Sequence, residues 1–137
     1  MPRNSDAPES PSRISALVGQ SILIIEDEPL VALDVHSVLS AAGASVISAT
    51  SAGEAIQLIG YAEVSAAIVD VQLGADDAAE VCRLLESRRI PFVFYTGRAD
   101  VTFLRSQWPD IGVLKKPATR DQIVTALSLL LRLRTEK

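Results

Sequence analysis

Four short apolar runs punctuate the chain, and each ends on polar residues. Ile22-Leu23-Ile24-Ile25 ends on Glu26-Asp27, Ala66-Ala67-Ile68-Val69 on Asp70, Phe92-Val93-Phe94-Tyr95 on Thr96, and the run from Ile111 to Lys115 on Lys116. Unbroken runs of this length suit strands buried on both faces, as in parallel sheets. Ser45-Val46-Ile47-Ser48-Ala49 is more polar and reads as a more exposed strand. The segments between carry the helical period. Pro29 opens a wide stripe of Leu30, Val31, Leu33, Val35, Val38 and Leu39 that Gly43 stops. Ser51 and Glu54 make a capping box ahead of Ala55, Ile56, Leu58 and Ile59. Residues 76–88 put Ala79, Val81, Cys82, Leu84 and Leu85 on a third helix that ends before Pro91. A weaker stretch over residues 100–107 precedes Pro109, a short fifth strand spans residues 112–114, and Thr119 with Gln122 caps a last helix.

Five strands alternating with five helices predict an α/β fold, because parallel neighbours need a crossover and right-handed crossovers cover both faces. The expected architecture is a doubly wound five-stranded parallel sheet of order 2-1-3-4-5, a flavodoxin-like three-layer sandwich. The switch point then falls between the first and third strands, where ligands sit beyond the carboxyl ends. Asp27 and Asp70 would face each other there.

Composition narrows the picture. The 137 residues and 48% apolar content fit one domain. Residues 1–19, rich in Pro and Ser, read as a flexible tail, with the folded domain spanning residues 20–137. Seventeen acidic residues against 13 basic ones give a net charge of −4, which disfavours nucleic acid and membrane surfaces as partners. The single cysteine, Cys82, excludes an internal disulfide, and no apolar stretch follows a basic start as in a secretory signal. A cytoplasmic setting is expected.

The polar residues at the strand ends carry the chemistry. Carboxylates gathered in one crevice repel one another unless a cation intervenes, and hard oxygen ligands suit Mg²⁺. Glu26, Asp27 and Asp70 with Mg²⁺ and Lys116 would make a formally neutral site that a phosphoryl group can approach. With acids, a metal, a lysine and a hydroxyl available, phosphoryl transfer is the chemistry that fits. Asp70 is the candidate nucleophile, Lys116 the partner of one phosphoryl oxygen, and Thr96 a hydroxyl that can move to another. Taken singly, each residue also has an ordinary role as a helix cap, strand-end hydroxyl or turn; their coincidence at four strand ends is the signal.

Four stretches in this order closely resemble the receiver domains of two-component response regulators: residues 22–29, Ile68-Val69-Asp70-Val71-Gln72-Leu73-Gly74, Phe94-Tyr95-Thr96-Gly97 and Leu114-Lys115-Lys116-Pro117. The resemblance covers residues 21–133. It implies that Asp70 accepts a phosphoryl group from a histidine kinase or histidine phosphotransfer protein. It also implies that Asp27, Asp70 and the backbone carbonyl of Gln72 hold Mg²⁺, with Glu26 acting through a bound water. Lys116 matches the family lysine because it directly precedes Pro117; alternation points Lys115 the other way, toward solvent. With no segment after the last helix, the expectation is a stand-alone receiver that is not an enzyme and signals by protein contact.

The chain departs from the family pattern in two places. Val113 stands three positions before the lysine, where many receivers carry an aromatic switch residue. Phe94-Tyr95-Thr96-Gly97 resembles the Phe-Ala-Thr-Gly motif of a group of single-domain receivers common in alphaproteobacteria, but Arg98 and Ala99 follow in place of an aromatic. Arg98 and Gln72 are candidates for tuning hydrolysis. Competing readings are a receiver-like docking module that takes no phosphate, and an aspartyl-nucleophile phosphatase of the haloacid dehalogenase type. The latter normally needs a second Asp where Gln72 stands. A flavodoxin-like electron carrier lacks its Thr/Ser-rich phosphate loop here.

In the last helix, Ile123, Val124, Ala126, Leu127, Leu129, Leu130, Leu131 and Leu133 cover roughly 220° of the circumference, against about 100° for a surface helix. Homodimerisation or kinase docking is expected there. His36 lacks the basic neighbour of a phosphotransfer histidine and reads as a boundary residue. Cys82 reads as a small core side chain, and Trp108 as partly exposed.

Overall fold

A computed structural model of the chain describes residues 16–97 and 102–135. In chain order the elements are β1 (Ser21–Ile25), α1 (Pro29–Ala41), β2 (Ser45–Ala49), α2 (Ala52–Tyr61) and β3 (Ala66–Asp70). After a 3₁₀ turn (Val71–Leu73) come α3 (Ala75–Ser87), β4 (Phe92–Thr96), α4 (Thr102–Gln107), β5 (Val113–Lys115) and α5 (Arg120–Thr135). All strand pairs are parallel, in the order β2-β1-β3-β4-β5. The doubly wound sandwich expected from the strand-helix alternation is the observed fold.

Strand periodicity sorts the core into two layers. Ile22, Ile24, Ala66, Ile68, Val93 and Tyr95 point to one face, where Val35, Val38 and Leu39 of α1 and Ile123, Val124 and Leu127 of α5 cover them. Leu23, Ile25, Ala67, Val69, Phe92 and Phe94 point to the other, against Ala55 and Ile59 of α2, Val81 and Leu85 of α3 and Leu104 of α4. Every residue of β3 and β4 is buried, whereas β2 at one edge exposes Ser45 and Ser48.

The caps follow the sequence with one variation. Thr119 Oγ1 accepts from the Gln122 N–H (3.1 Å) while Gln122 Oε1 accepts from the Thr119 N–H (2.8 Å), a reciprocal capping box. Ser51 Oγ likewise accepts from the Glu54 N–H (3.1 Å), but Glu54 reaches past it to the N–H of Thr50 (2.8 Å) and its hydroxyl. The fifth strand lies one residue later than expected. Lys115 pairs with Thr96 in the register, while Gly112 contributes only its carbonyl, to Phe94 N–H at 3.0 Å.

Trp108 corrects an expectation. It is 6% exposed, its ring 6.5 Å from that of Phe92 in a T-shaped contact and its indole N–H directed at Glu86 Oε1 (3.4 Å). Its position before Pro109 suggests a loop, yet the indole belongs to the core layer that also holds Phe92 and Leu104. Burial pushes the Cys82 thiol up to about 12, so it stays a neutral core side chain.

Leu17 lies inside the segment assigned from composition to the tail, yet it is fully buried among Val38, Leu39 and Ala42, and its N–H donates to Ala42 O (3.0 Å). Beside it, Gly43 has φ +100°, and a Cβ there would come within 2.5 Å of Val18 Cγ2, so both backbone and space require glycine. Leu17 thus closes the apolar end of the α1–β2 connection. Leu17→Ala is expected to destabilise the domain by about 2–4 kcal/mol in a urea titration with unchanged m-value; a loss below about 1 kcal/mol would mean that this end collapses around the void.

Candidate functional site

Register and side-chain alternation assemble the site. Ile25 of β1 stands between Ala49 and Val69, so the next residues, Glu26 and Asp70, are neighbours at the sheet's carboxyl end. Asp70 in turn pairs with Tyr95, and Tyr95 with Leu114. All share the parity of the face covered by α1 and α5, and Lys116, two residues beyond Leu114, falls on it as well. Thr96 has the opposite parity and ends β4 on the other face; it is 1% exposed, and its carbonyl accepts from the Lys116 N–H (2.8 Å).

The side chains converge accordingly. Lys116 Nζ lies 2.9 Å from Glu26 Oε1 and 3.6 Å from Asp70 Oδ1. Asp70 Oδ1 also accepts from the backbone N–H of Gln72 (2.9 Å), and Glu26 Oε2 from that of Glu28 (3.1 Å). Glu26 and Asp70 are buried, while Asp27 is exposed. One carboxylate oxygen from each of the three lies within 4.8 Å of the others. Gln72 meets the site through its backbone, its side chain being exposed. Lys115 is exposed and turned away from this cluster. Arg98 lies outside the described residues.

Asp70 Oδ2 is buried without a hydrogen-bond partner among the described residues. A buried carboxylate oxygen left unpaired is costly, and a hard cation shared with the neighbouring carboxylates would satisfy it. The donor set fits a divalent ion of the Mg²⁺ kind: oxygen ligands only, with an exposed acid at the rim.

One cation among three acids sets the electrostatics. Burial pushes the Glu26 carboxyl up from 4.5 to about 7; the hydrogen bond with Lys116 opposes the rise and Asp70 adds to it. For Lys116, burial alone would lower the ammonium pKa, but Glu26 and Asp70 outweigh it and raise it above its ordinary 10.5. The lysine gains from two acids, whereas each acid has only a share in one lysine.

The match to known proteins agrees with this arrangement. Residues 22–128 match the family model described as "Response regulator receiver domain". The chain belongs to the response regulator receiver domain family. It is 31% identical over 110 residues to the phyllosphere-induced regulator PhyR of Methylorubrum extorquens, a match covering 77% of this chain and 41% of PhyR. The chain thus spans about two fifths of the length of that curated relative. The crystal structure of a response regulator receiver protein from Sinorhizobium medicae superposes with a TM-score of 0.76 at 30% identity, covering 84% of this chain and 96% of that one. A CheY-like receiver from Methanospirillum hungatei, at 20% identity, shares the fold with a TM-score of 0.77 over 85% and 97% of the two chains.

Sequence reasoning passed over one residue beside the site. Tyr95 enters the sequence reading as the last apolar position of the fourth strand and as part of the Phe94-Tyr95-Thr96-Gly97 stretch, with no role of its own, yet it sits next to Asp70 in the register and under Lys116. The available signal was a phenol at the buried end of a strand, since a buried tyrosine hydroxyl needs a partner.

The raised Glu26 pKa fixes the sign of a pH effect. Because the folded-state value lies above the unfolded one, this group's favourable contribution is complete below about pH 4.5 and is lost as pH rises through about 7. In chelator, the protein is expected to lose roughly 2 kcal/mol between pH 5 and pH 7.5, measured by denaturant titration. Glu26→Gln is expected to flatten that slope; an unchanged slope would place its origin elsewhere.

Proposed function

We propose that this receiver domain takes a phosphoryl group onto Asp70 from the phosphohistidine of a histidine kinase or histidine phosphotransfer protein, in a Mg²⁺-dependent reaction, and passes the signal on by protein contact. The carrying observation is the state of the Asp70 carboxylate: buried, with Oδ1 held by the Gln72 N–H and facing Lys116, and with Oδ2 unpaired. A carboxylate oxygen so fixed forms a bond to phosphorus as the bond between phosphorus and the imidazole nitrogen breaks. Lys116 turns from the acids to a phosphoryl oxygen, which its flexible stem allows. The Thr96 hydroxyl hydrogen-bonds another oxygen, and its movement shifts the loop after β4.

Asp27, Asp70 and the Gln72 carbonyl would hold the metal, with Glu26 acting through water while its Oε1 partners Lys116. Mg²⁺, when bound, supplies the positive charge that lets an anionic phosphoryl group approach three carboxylates. On this reading the chain assists its own phosphorylation and dephosphorylation and turns over no separate substrate. The half-exposed Leu129 and Leu133 on α5 favour a self-association or kinase-docking face on that helix.

Acetyl phosphate with Mg²⁺ is expected to add one phosphoryl mass to the intact protein, and chelator or Asp70→Asn to abolish the addition. No addition with Mg²⁺ bound would favour a docking module, and continuing release of phosphate from phosphomonoesters would favour a phosphatase. In light scattering at micromolar concentrations, Leu129→Glu is expected to shift any dimer to monomer; a mass insensitive to that change would refute self-association through α5.

A further inference from the structure

Lys116 carries a long, flexible stem, yet its ammonium must sit within reach of both Glu26 and Asp70. Two features restrain it. Its backbone N–H is tied to Thr96 O at 2.8 Å. The second is Tyr95. This residue is 4% exposed, and its ring lies beneath the ammonium, with Nζ 5.4 Å from the ring centroid. Its hydroxyl accepts from the N–H of Ala118 at 3.3 Å, across the turn that carries Lys116 and Pro117 from β5 to α5. One side chain therefore touches both the charged head of Lys116 and the backbone two residues beyond it.

We infer that Tyr95 is a positioning residue for Lys116. Its ring presents an electron-rich face that holds the ammonium over the carboxylate cluster, and its hydroxyl fixes the turn from which the lysine springs. This inference rests on the proposed phosphoryl transfer to Asp70 and names the group that prepares Lys116 for it. The register makes the role available: Tyr95 lies between Asp70 and Leu114 in the strand row and shares their face, whereas the preceding Phe94 points into the opposite core. A leucine there would fill the same apolar space with neither the cation-binding face nor the hydroxyl.

The test uses the full chain and two variants, Tyr95→Phe, which keeps the ring, and Tyr95→Leu, which removes it. In NMR spectra, the ε-methylene protons of Lys116 in the wild type are expected upfield of those of the exposed Lys115, through the ring current of Tyr95. That shift should persist in Tyr95→Phe and vanish in Tyr95→Leu. Phosphorylation by acetyl phosphate, followed by intact mass, is expected to slow at saturating donor by about threefold in Tyr95→Phe and about tenfold in Tyr95→Leu. The tenfold effect of Tyr95→Leu should shrink to less than about twofold in a Lys116→Ala background, because the residue acts through the lysine. Equal slowing in both backgrounds, or Lys116 resonances no further upfield than those of Lys115, would overturn the inference. Should Tyr95→Leu fail to fold, the wild-type and Tyr95→Phe resonances decide it. If the wild type itself takes no phosphoryl group, the phosphoacceptor reading fails, while the Lys116 line positions still decide whether Tyr95 holds the lysine.

Discussion

A single ammonium shared by buried carboxylates organises the working end of this molecule. Lys116 lies 2.9 Å from Glu26 and 3.6 Å from Asp70, so three strands, β1, β3 and β5, are joined at their carboxyl ends by one charge. The arrangement is unbalanced by design of the sequence: three acids face one lysine, burial raises Glu26 toward neutrality, and an Asp70 oxygen is left without a partner. Such a cluster is held by the buried strands beneath it. Every side chain of β3 and β4 is buried, and the two-layer core holds the strand ends in register. Stability made by apolar burial is thereby used to hold polar groups in a configuration that they would not adopt alone.

The same physics explains why the cluster suits a signalling role. A site already in balance would gain little from a cation, whereas one short of positive charge attracts it, and only the neutralised cluster can then admit an anionic group. Lys116 follows the edge strand β5, which is three residues long, and Thr96 is the last residue of β4. The buried acids sit on the two strands at the switch point, β1 and β3, each paired on both sides. The acids thus lie toward the centre of the sheet, and the lysine that faces them comes from one edge.

Much of this was legible in the sequence because its signals are local. Apolar runs bounded by polar residues marked four strands and a more polar β-rich stretch the fifth, capping boxes at Ser51 and Thr119 marked two helix starts, and strict alternation of strand and helix left one economical sheet order. The candidate residues were legible for the same reason: Glu26, Asp27, Asp70, Thr96 and Lys116 each stand where an apolar run stops, and a parallel sheet brings such stops to one side. What misled was side-chain environment. Trp108 beside a proline looked like a surface residue, and Leu17 within a Pro/Ser-rich stretch looked like tail, yet both are buried by elements distant in sequence.

The sequence by itself determined the order and type of the elements and which residues end the strands, since hydrophobic period, caps and breakers act over a few residues. Only the tertiary structure decided which of those residues touch. Register set Glu26 beside Asp70 and Asp70 beside Tyr95. Parity put Lys116 on their face with its ammonium over the Tyr95 ring, and burial raised one carboxyl while leaving Asp27 in water. Pairing, distance and dielectric are properties of segments brought together from across the chain, so no local stretch of sequence encodes them.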